Sequence, residues 1–127
     1  MSEQAKIIRA RARAFAVQIV RFVRTLSRDS SIDAVARQLA RSGTSISANY
    51  HSAGRARSRA EFIARLAVVV DEADETVHWL SVIGESGITS GAELDWLLKE
   101  SGELRAIFSA SLTTARLNYR RDHGKSP

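Results

Sequence analysis

The sequence lacks an internal proline, and this absence limits its fold more than any other feature: the only Pro is the last of 127 residues. No position therefore forces a helix to break. Apolar residues recur at alternating steps of four and three in four successive stretches. In the first stretch they are Ile8, Ala12, Phe15, Ile19, Phe22 and Leu26. This spacing is typical of helices that each turn one apolar stripe toward the centre of a left-handed bundle.

Cap and turn residues separate the four stretches. Ser58 with Glu61, and Ser90 with Glu93, have the spacing of a capping box at a helix start. The segment 84–91, with three glycines in eight residues, is typical of a loop. The sequence therefore predicts four helices, at about 4–28, 31–54, 58–84 and 90–119.

The predicted helices follow one another closely, and short connections join antiparallel neighbours. We therefore predict an all-α fold, an antiparallel up-down-up-down four-helix bundle over residues 1–121, with a flexible tail at 122–127. A run of small residues at 42–50 lies within the second helix, where it would let another helix approach closely, with a loop as the alternative.

Several classes of protein are excluded by what the sequence lacks. The absence of Cys excludes a disulfide scaffold, a thiolate zinc site and a Cys nucleophile. The apolar stretch at 14–20 is followed by Arg21 and Arg24, so it is too short and too charged for a signal peptide or a membrane span. We expect a cytoplasmic protein that does not bind a membrane.

Charge is distributed unevenly along the chain, which has a net charge of +5. Residues 1–28 carry a net charge of +6, residues 61–103 carry −8, and residues 104–127 carry +4. In an up-down-up-down bundle, the start of the first helix, the turn after the second and the end of the fourth lie together. We place Arg11 at this basic end and Glu100 at the opposite, acidic end. The candidate nucleic-acid-binding residues of the basic end are Arg9, Arg13, Arg55, Arg57, Arg59, Arg116, Arg120 and Arg121.

A concentrated basic surface attracts polyanions, and nucleic acid is the commonest of them. Tyr50 and Tyr119 lie close enough in the predicted bundle to stack on bases. The same arginines could instead meet acidic residues of another subunit, or only keep this end soluble. The sequence leaves these alternatives open.

A structural ion pair is predicted between the second and third helices. If these helices pair about the turn at 54–58, residue i faces roughly residue 114 − i, which puts Arg41 opposite Ala73. We therefore expect Arg41 to bond Glu72 or Glu75 in a partly buried pair. Loss of a buried partner of this kind would destabilise the fold by about 3–5 kcal/mol.

No constellation indicates catalysis, a metal or a cofactor. Glu75 and His78 have the spacing that di-iron bundles use, but those bundles need two copies and two further Glu. No phosphate-binding loop, nucleophile elbow or zinc-helix motif is present. We expect a protein without enzymatic activity.

Three blocks of the sequence resemble a known family. They are RSGTSI-x-ANY at 41–50, A-x-S-x-A-x-FI at 56–63 and EADET-x-x-WL at 72–80. They are similar to the small four-helix bundle proteins encoded in intervening sequences of bacterial 23S ribosomal RNA genes. Many relatives have an acidic residue shortly after the position of Asn49, where His51 and Ser52 stand here, and Lys at the position of Asp71.

The resemblance implies more than the residues do. It implies a homopentamer without enzymatic activity, similar to the accessory protein of diversity-generating retroelements, which binds nucleic acid and a reverse transcriptase. We therefore expect a non-enzymatic, oligomeric RNA- or DNA-binding accessory protein, with a reverse transcriptase as a possible protein partner. The alternative is a structural or protein-interaction module whose charge asymmetry serves subunit assembly.

Overall fold

The computed structural model describes all 127 residues and contains four α-helices and no strand. The helices are α1 (Glu3–Thr25), α2 (Ser30–Ala53), α3 (Arg59–Glu85) and α4 (Ala92–His123). Each helix packs against the next one in the chain, α1 and α4 close the bundle, and α1 does not contact α3. The predicted antiparallel four-helix bundle is confirmed, with α1 and α3 diagonally opposite. None of the helices combines the length and apolarity that crossing a membrane requires.

Two helix starts show how far the capping pattern could be trusted. Ser58 Oγ accepts the backbone N–H of Glu61 at 3.1 Å, and the Glu61 carboxylate accepts the backbone N–H of Arg57 at 2.8 Å. The predicted capping box at Ser90 is wrong, because α4 begins one residue later, after Gly91. Gly91 has a φ of 127°, a backbone conformation that other residues rarely adopt, so the loop geometry decides this start.

The four apolar stripes meet in one core of 20 buried hydrophobic residues. Of the first predicted stripe, all but Ile8 are buried, and Ile8 is partly buried against the same core. The small residues of α2 are helical and pack against α1: a Cβ atom added to Gly43 would lie 2.9 Å from Ile19 Cγ1. Beside this contact, the buried Thr76 hydroxyl donates to Ser42 Oγ at 3.1 Å, which joins α3 to α2.

Helix α4 is longer than predicted. It continues to His123, whose ring stacks on Tyr119 with centroids 3.9 Å apart, and it ends at Gly124 with a φ of 73°. With 32 residues against the 23 of α1, α4 is about 48 Å long and α1 about 35 Å. Because the start of α1 lies beside residues 107–111, the last third of α4 extends beyond α1.

Candidate nucleic-acid interface

Net charge differs between the two sides of the bundle as well as between its two ends. Residues 1–58, which form α1, α2 and the turn after them, contain eleven basic and three acidic residues, a net charge of +8. Residues 59–127, which include α3 and α4, contain eight basic and eleven acidic residues, a net charge of −3. The predicted polarity along the long axis is therefore incomplete, since the α1–α2 side carries arginines from end to end.

No carboxylate on the α1–α2 side is free to neutralise this charge. Glu3 pairs with Lys6 at 3.2 Å, and Asp33 pairs with Arg28 at 3.0 Å. Asp29 caps the start of α2, where the backbone N–H groups that it accepts hold its pKa below the usual value. We call the outward side of α1, α2 and the following turn the basic face. Its arginines without an ion-pair partner are Arg9, Arg13, Arg21, Arg24, Arg37, Arg55 and Arg57.

A shallow groove between α1 and α2 lies within the basic face. Arg9 and Arg13 stand one helical turn apart along it, and both side chains are exposed. Its remaining lining is small or apolar: Ala16, Val17, Val20, Thr44, Ser47, Ala48 and His51. The groove therefore has two free guanidinium groups and no acidic residue.

A second cleft continues the basic face around the turn between α2 and α3. His51 lines both clefts, so the two form one continuous surface. The second cleft is wholly polar, and its other residues are Ser52, Arg55, Arg57, Glu61 and Arg65. Its one acid, Glu61, is already engaged by Arg65 at 2.8 Å and by the backbone N–H of Arg57, which lowers the pKa of Glu61. Arg55 and Arg57 therefore keep their charge toward solvent.

Four of the eight predicted arginines lie elsewhere. Arg116 and Arg120 have no ion-pair partner but line a separate pocket on α3 and α4 with the apolar Ala60, Ile63 and Ala64. Arg59 and Arg121 both bond Asp122, at 2.8 and 3.1 Å, and Arg59 has the larger effect in holding the pKa of Asp122 low. The structure thus joins Arg9, Arg13, Arg55 and Arg57 into one surface and separates the other four from it.

Neither predicted stacking tyrosine is available on this surface. Tyr50 packs against the buried Phe108, with ring centroids 5.0 Å apart, and burial raises its pKa. The prediction is therefore wrong for Tyr50, whose ring belongs to the edge of the core. Tyr119 lies on α4, where the His123 ring stacks on it and the Arg59 guanidinium lies 5.7 Å from its centroid.

Arg41 bonds both carboxylates that the helix register places near it. Its guanidinium donates to Glu72 at 3.0 Å and also to Glu75, and the bond from Arg41 is the main cause of the lowered pKa of Glu75. The Glu72 side chain is only 15% exposed, but that of Arg41 is 49% exposed. Solvent therefore weakens the pair, and the expected loss of several kcal/mol is too large.

A second interhelical cluster was missed by sequence reasoning. Arg11 donates to Glu100 at 2.7 and 2.8 Å and to Glu103 at 2.5 Å, which joins α1 to α4. The bond from Arg11 lowers the pKa of Glu100, whose side chain is only 12% exposed. Placing these residues at opposite ends was wrong, because the extension of α4 beyond α1 brings Glu100 level with Arg11. The signal that could have shown this is the difference in length between α1, with 23 residues, and α4, with 32.

The Glu75 and His78 pair does not gather further ligands. Glu75 accepts bonds from Arg41 and from the indole N–H of Trp79, the latter at 3.2 Å. Nowhere in the chain do three or more His, Cys, Asp or Glu residues come together in a group that could hold a metal ion.

The chain is similar to a known protein family and to a solved structure. The sequence profile of a family described as "23S rRNA-intervening sequence protein" matches residues 4–110. The chain belongs to this family. No curated protein is significantly similar to it. A crystal structure of a protein of unknown function from the S23 ribosomal protein family of Bacteroides thetaiotaomicron is similar, with 28% identity and a TM-score of 0.79 over 86% of this chain and 97% of that one.

The extent of the family match divides the arginines much as the structure does, except that Arg59, which lies outside the basic face, is within the match. Arg9, Arg13, Arg55 and Arg57, together with the Arg41 and Arg11 clusters, lie within the part of the chain that the 23S rRNA-intervening sequence protein family describes. Arg116, Arg120 and Arg121 lie beyond it, in the last turns of α4. The basic face is therefore built on the portion of the chain that defines the family fold.

Proposed function

We propose that this member of the 23S rRNA-intervening sequence protein family is a non-enzymatic, cytoplasmic accessory protein that binds RNA or DNA through the basic face. One observation carries the proposal: seven arginines of the α1–α2 side have no ion-pair partner, and every acid on that side is engaged. Arg suits this role because its planar guanidinium matches a phosphate group with two parallel hydrogen bonds.

The proposal includes assembly into a homo-oligomer, and the resemblance to pentameric bundles supports a homopentamer. Five copies would raise the net charge from +5 to about +25 and repeat the basic face around the assembly, so that binding strengthens by multivalency. A partner protein such as a reverse transcriptase belongs to the same proposal, since the similar retroelement accessory protein binds one.

The test compares two matched pairs of arginines. Arg9 and Arg13, on the basic face, and Arg116 and Arg120, outside it, are both exposed, unpaired and four residues apart on a helix. Affinity for a labelled RNA is measured by fluorescence anisotropy at 50 and 200 mM salt. With four phosphate contacts, wild-type affinity should fall about 100-fold between these concentrations.

The variant Arg9→Ala/Arg13→Ala should bind RNA at least about tenfold more weakly, and its salt slope should fall by about 2. The control Arg116→Ala/Arg120→Ala should stay within about threefold of the wild type. Equal losses in the two variants would reject the basic face as the binding surface, and no wild-type binding at 50 mM salt would reject the function.

A second candidate function, subunit assembly through opposite charge, is favoured by a different observation. The outward side of α1 exposes Ile7 and Val17 among its arginines, and the outward side of α3 exposes Val68 beside the unpaired Asp71. Because α1 and α3 are diagonally opposite, these surfaces could join successive copies head to tail. Light scattering tests it: an assembly held by these charges should dissociate as salt rises, whereas one held by apolar contacts should persist.

A further inference from the structure

We propose that the basic face selects double-stranded over single-stranded nucleic acid and contacts the phosphate backbone without reading bases. This inference rests on the proposed function and names the class of its ligand. Three features carry it: the positions of the aromatic rings, the rigidity of the surface that holds the arginines, and its length.

The aromatic rings that could hold unpaired bases are engaged elsewhere. Proteins that bind single strands combine a basic groove with exposed rings on which successive bases stack. Tyr50 packs on Phe108, and Tyr119 is covered by His123 and approached by Arg59. The two tyrosines therefore offer no platform on the basic face.

The tryptophans lie on the acidic half of the molecule. Trp79 of α3 donates its indole N–H to Glu75 and packs against His78. Trp96 is 47% exposed, but it stands in the first turns of α4 beside the unpaired Asp95, where a polyanion is repelled. His51 is thus the one exposed aromatic ring on the basic face, and one ring cannot stack a run of bases.

Most arginines of the basic face stand on helices, and only Arg55 and Arg57 lie in the turn after α2. Arg9, Arg13 and Arg24 are on α1, and Arg37 is on α2. The two helices pack closely where Gly43 meets Ile19, so the backbone positions that carry these arginines are fixed relative to one another. A duplex is a rigid polyanion with one charge per 1.7 Å of its axis, about twice the density of one strand, and it suits a fixed array of cations.

The length of the surface also fits a duplex. Helix α1 has 23 residues, about 35 Å at 1.5 Å per residue, which is close to the 34–36 Å of one turn of duplex DNA. The unpaired arginines of α1 extend from Arg9 to Arg24, over most of this length. A duplex lying along the α1–α2 groove would therefore meet guanidinium groups of α1 over about 22 Å, roughly two-thirds of a turn.

The experiment compares four 20-nucleotide probes at 50 mM salt: an rA20·rU20 duplex, single-stranded rU20, a dA20·dT20 duplex and single-stranded dT20. We expect each duplex to bind at least about tenfold more tightly than its single strand, since only the duplex presents the full charge density. A second duplex of mixed sequence should bind within about twofold of the first, because phosphate contacts carry no sequence information.

Single strands that bind as tightly as duplexes would overturn the inference and leave the proposed function intact, whereas binding of none of the probes would reject the proposed function itself. The variant His51→Ala removes the one exposed ring of the basic face. It should keep the preference for duplexes, and loss of that preference would also overturn the inference. Tighter binding of the rA20·rU20 duplex than of the dA20·dT20 duplex would identify RNA as the preferred ligand, and the reverse would identify DNA.

Discussion

The two halves of the bundle balance their charges in different ways. On the α3–α4 half, acids pair with arginines of the same half, as Asp74 does with Arg105 and Asp122 with Arg59. They also reach across the seams of the bundle to Arg11 on α1 and Arg41 on α2. The α1–α2 half has no carboxylate left to pair with its own outward arginines, which therefore have no ion-pair partner.

This difference separates two roles for the same residue type. Arginines at a seam, such as Arg11 and Arg41, are held by two carboxylates each and join neighbouring helices. Arginines without a carboxylate partner, such as Arg9 and Arg13 beside the α1–α2 groove, form no ion pair within the chain. Under the proposed function their charge is used by a ligand or another subunit, and substitutions in the two groups should therefore have different effects.

The largest expected difference between the halves concerns two glycines in helix interiors. Gly43→Ala should destabilise the protein by about 1–2 kcal/mol, because the new Cβ would meet the fully buried Ile19 at 2.9 Å. Gly102→Ala should stabilise it by up to about 1 kcal/mol, since that Cβ meets nothing within 4 Å and Ala favours the helix. Urea unfolding measures both, and equal effects would show that α1 and α2 are not closely packed at Gly43.

The next prediction concerns the seam between α1 and α4. Arg11→Ala should lower the free energy of unfolding by about 2 kcal/mol at pH 7, because it leaves Glu100 largely buried without a partner. Arg11→Lys should recover only part of this loss, since an ammonium group cannot bond two carboxylates in the planar geometry of Arg. An unchanged melting temperature in Arg11→Ala would show that solvent replaces the contact.

This seam also predicts a dependence on pH. Arg11 holds the pKa of Glu100 below its usual value of 4.5. A carboxyl group with a lowered pKa contributes stability above its unfolded pKa and loses it as the pH falls through the folded value. The difference in melting temperature between wild type and Arg11→Ala should therefore be constant above pH 5 and shrink below pH 4.5. A difference that grows at low pH would contradict this assignment.

A smaller effect is expected at the seam between α2 and α3. Arg41→Ala should destabilise the protein by about 1 kcal/mol, because the Arg41 side chain is half exposed and solvent partly replaces its bonds. The exposed, unpaired Arg37, one turn earlier on α2, gives the matched control, and Arg37→Ala should leave the melting temperature unchanged. A loss in Arg41→Ala as large as that in Arg11→Ala would show that exposure does not weaken this pair.

The fold could be predicted from the sequence because the periodic apolar positions and the lack of internal Pro act locally along each helix. It also placed Arg41 beside Glu72 and Glu75, since a short turn fixes the register of α2 against α3. It could not place Arg11 beside Glu100, because that register depends on how far α4 extends beyond α1. The sideways separation of charge depends only on which helices are neighbours, and the predicted topology with the counts for the two halves contained that information.

The smallest expected effect tests whether the α3–α4 half takes any part in binding. Asp122→Asn would release Arg59 and Arg121 from their shared carboxylate without changing the shape of the side chain. If nucleic acid lies along the basic face, two more free guanidinium groups on α3 and α4 should change affinity for an RNA duplex by less than about twofold at 200 mM salt, because neither side chain lines the groove or the cleft of that face and salt weakens contacts at a distance. An increase of tenfold would mean that the ligand also contacts the end of α4, and that the end-to-end polarity expected from the sequence matters for binding after all.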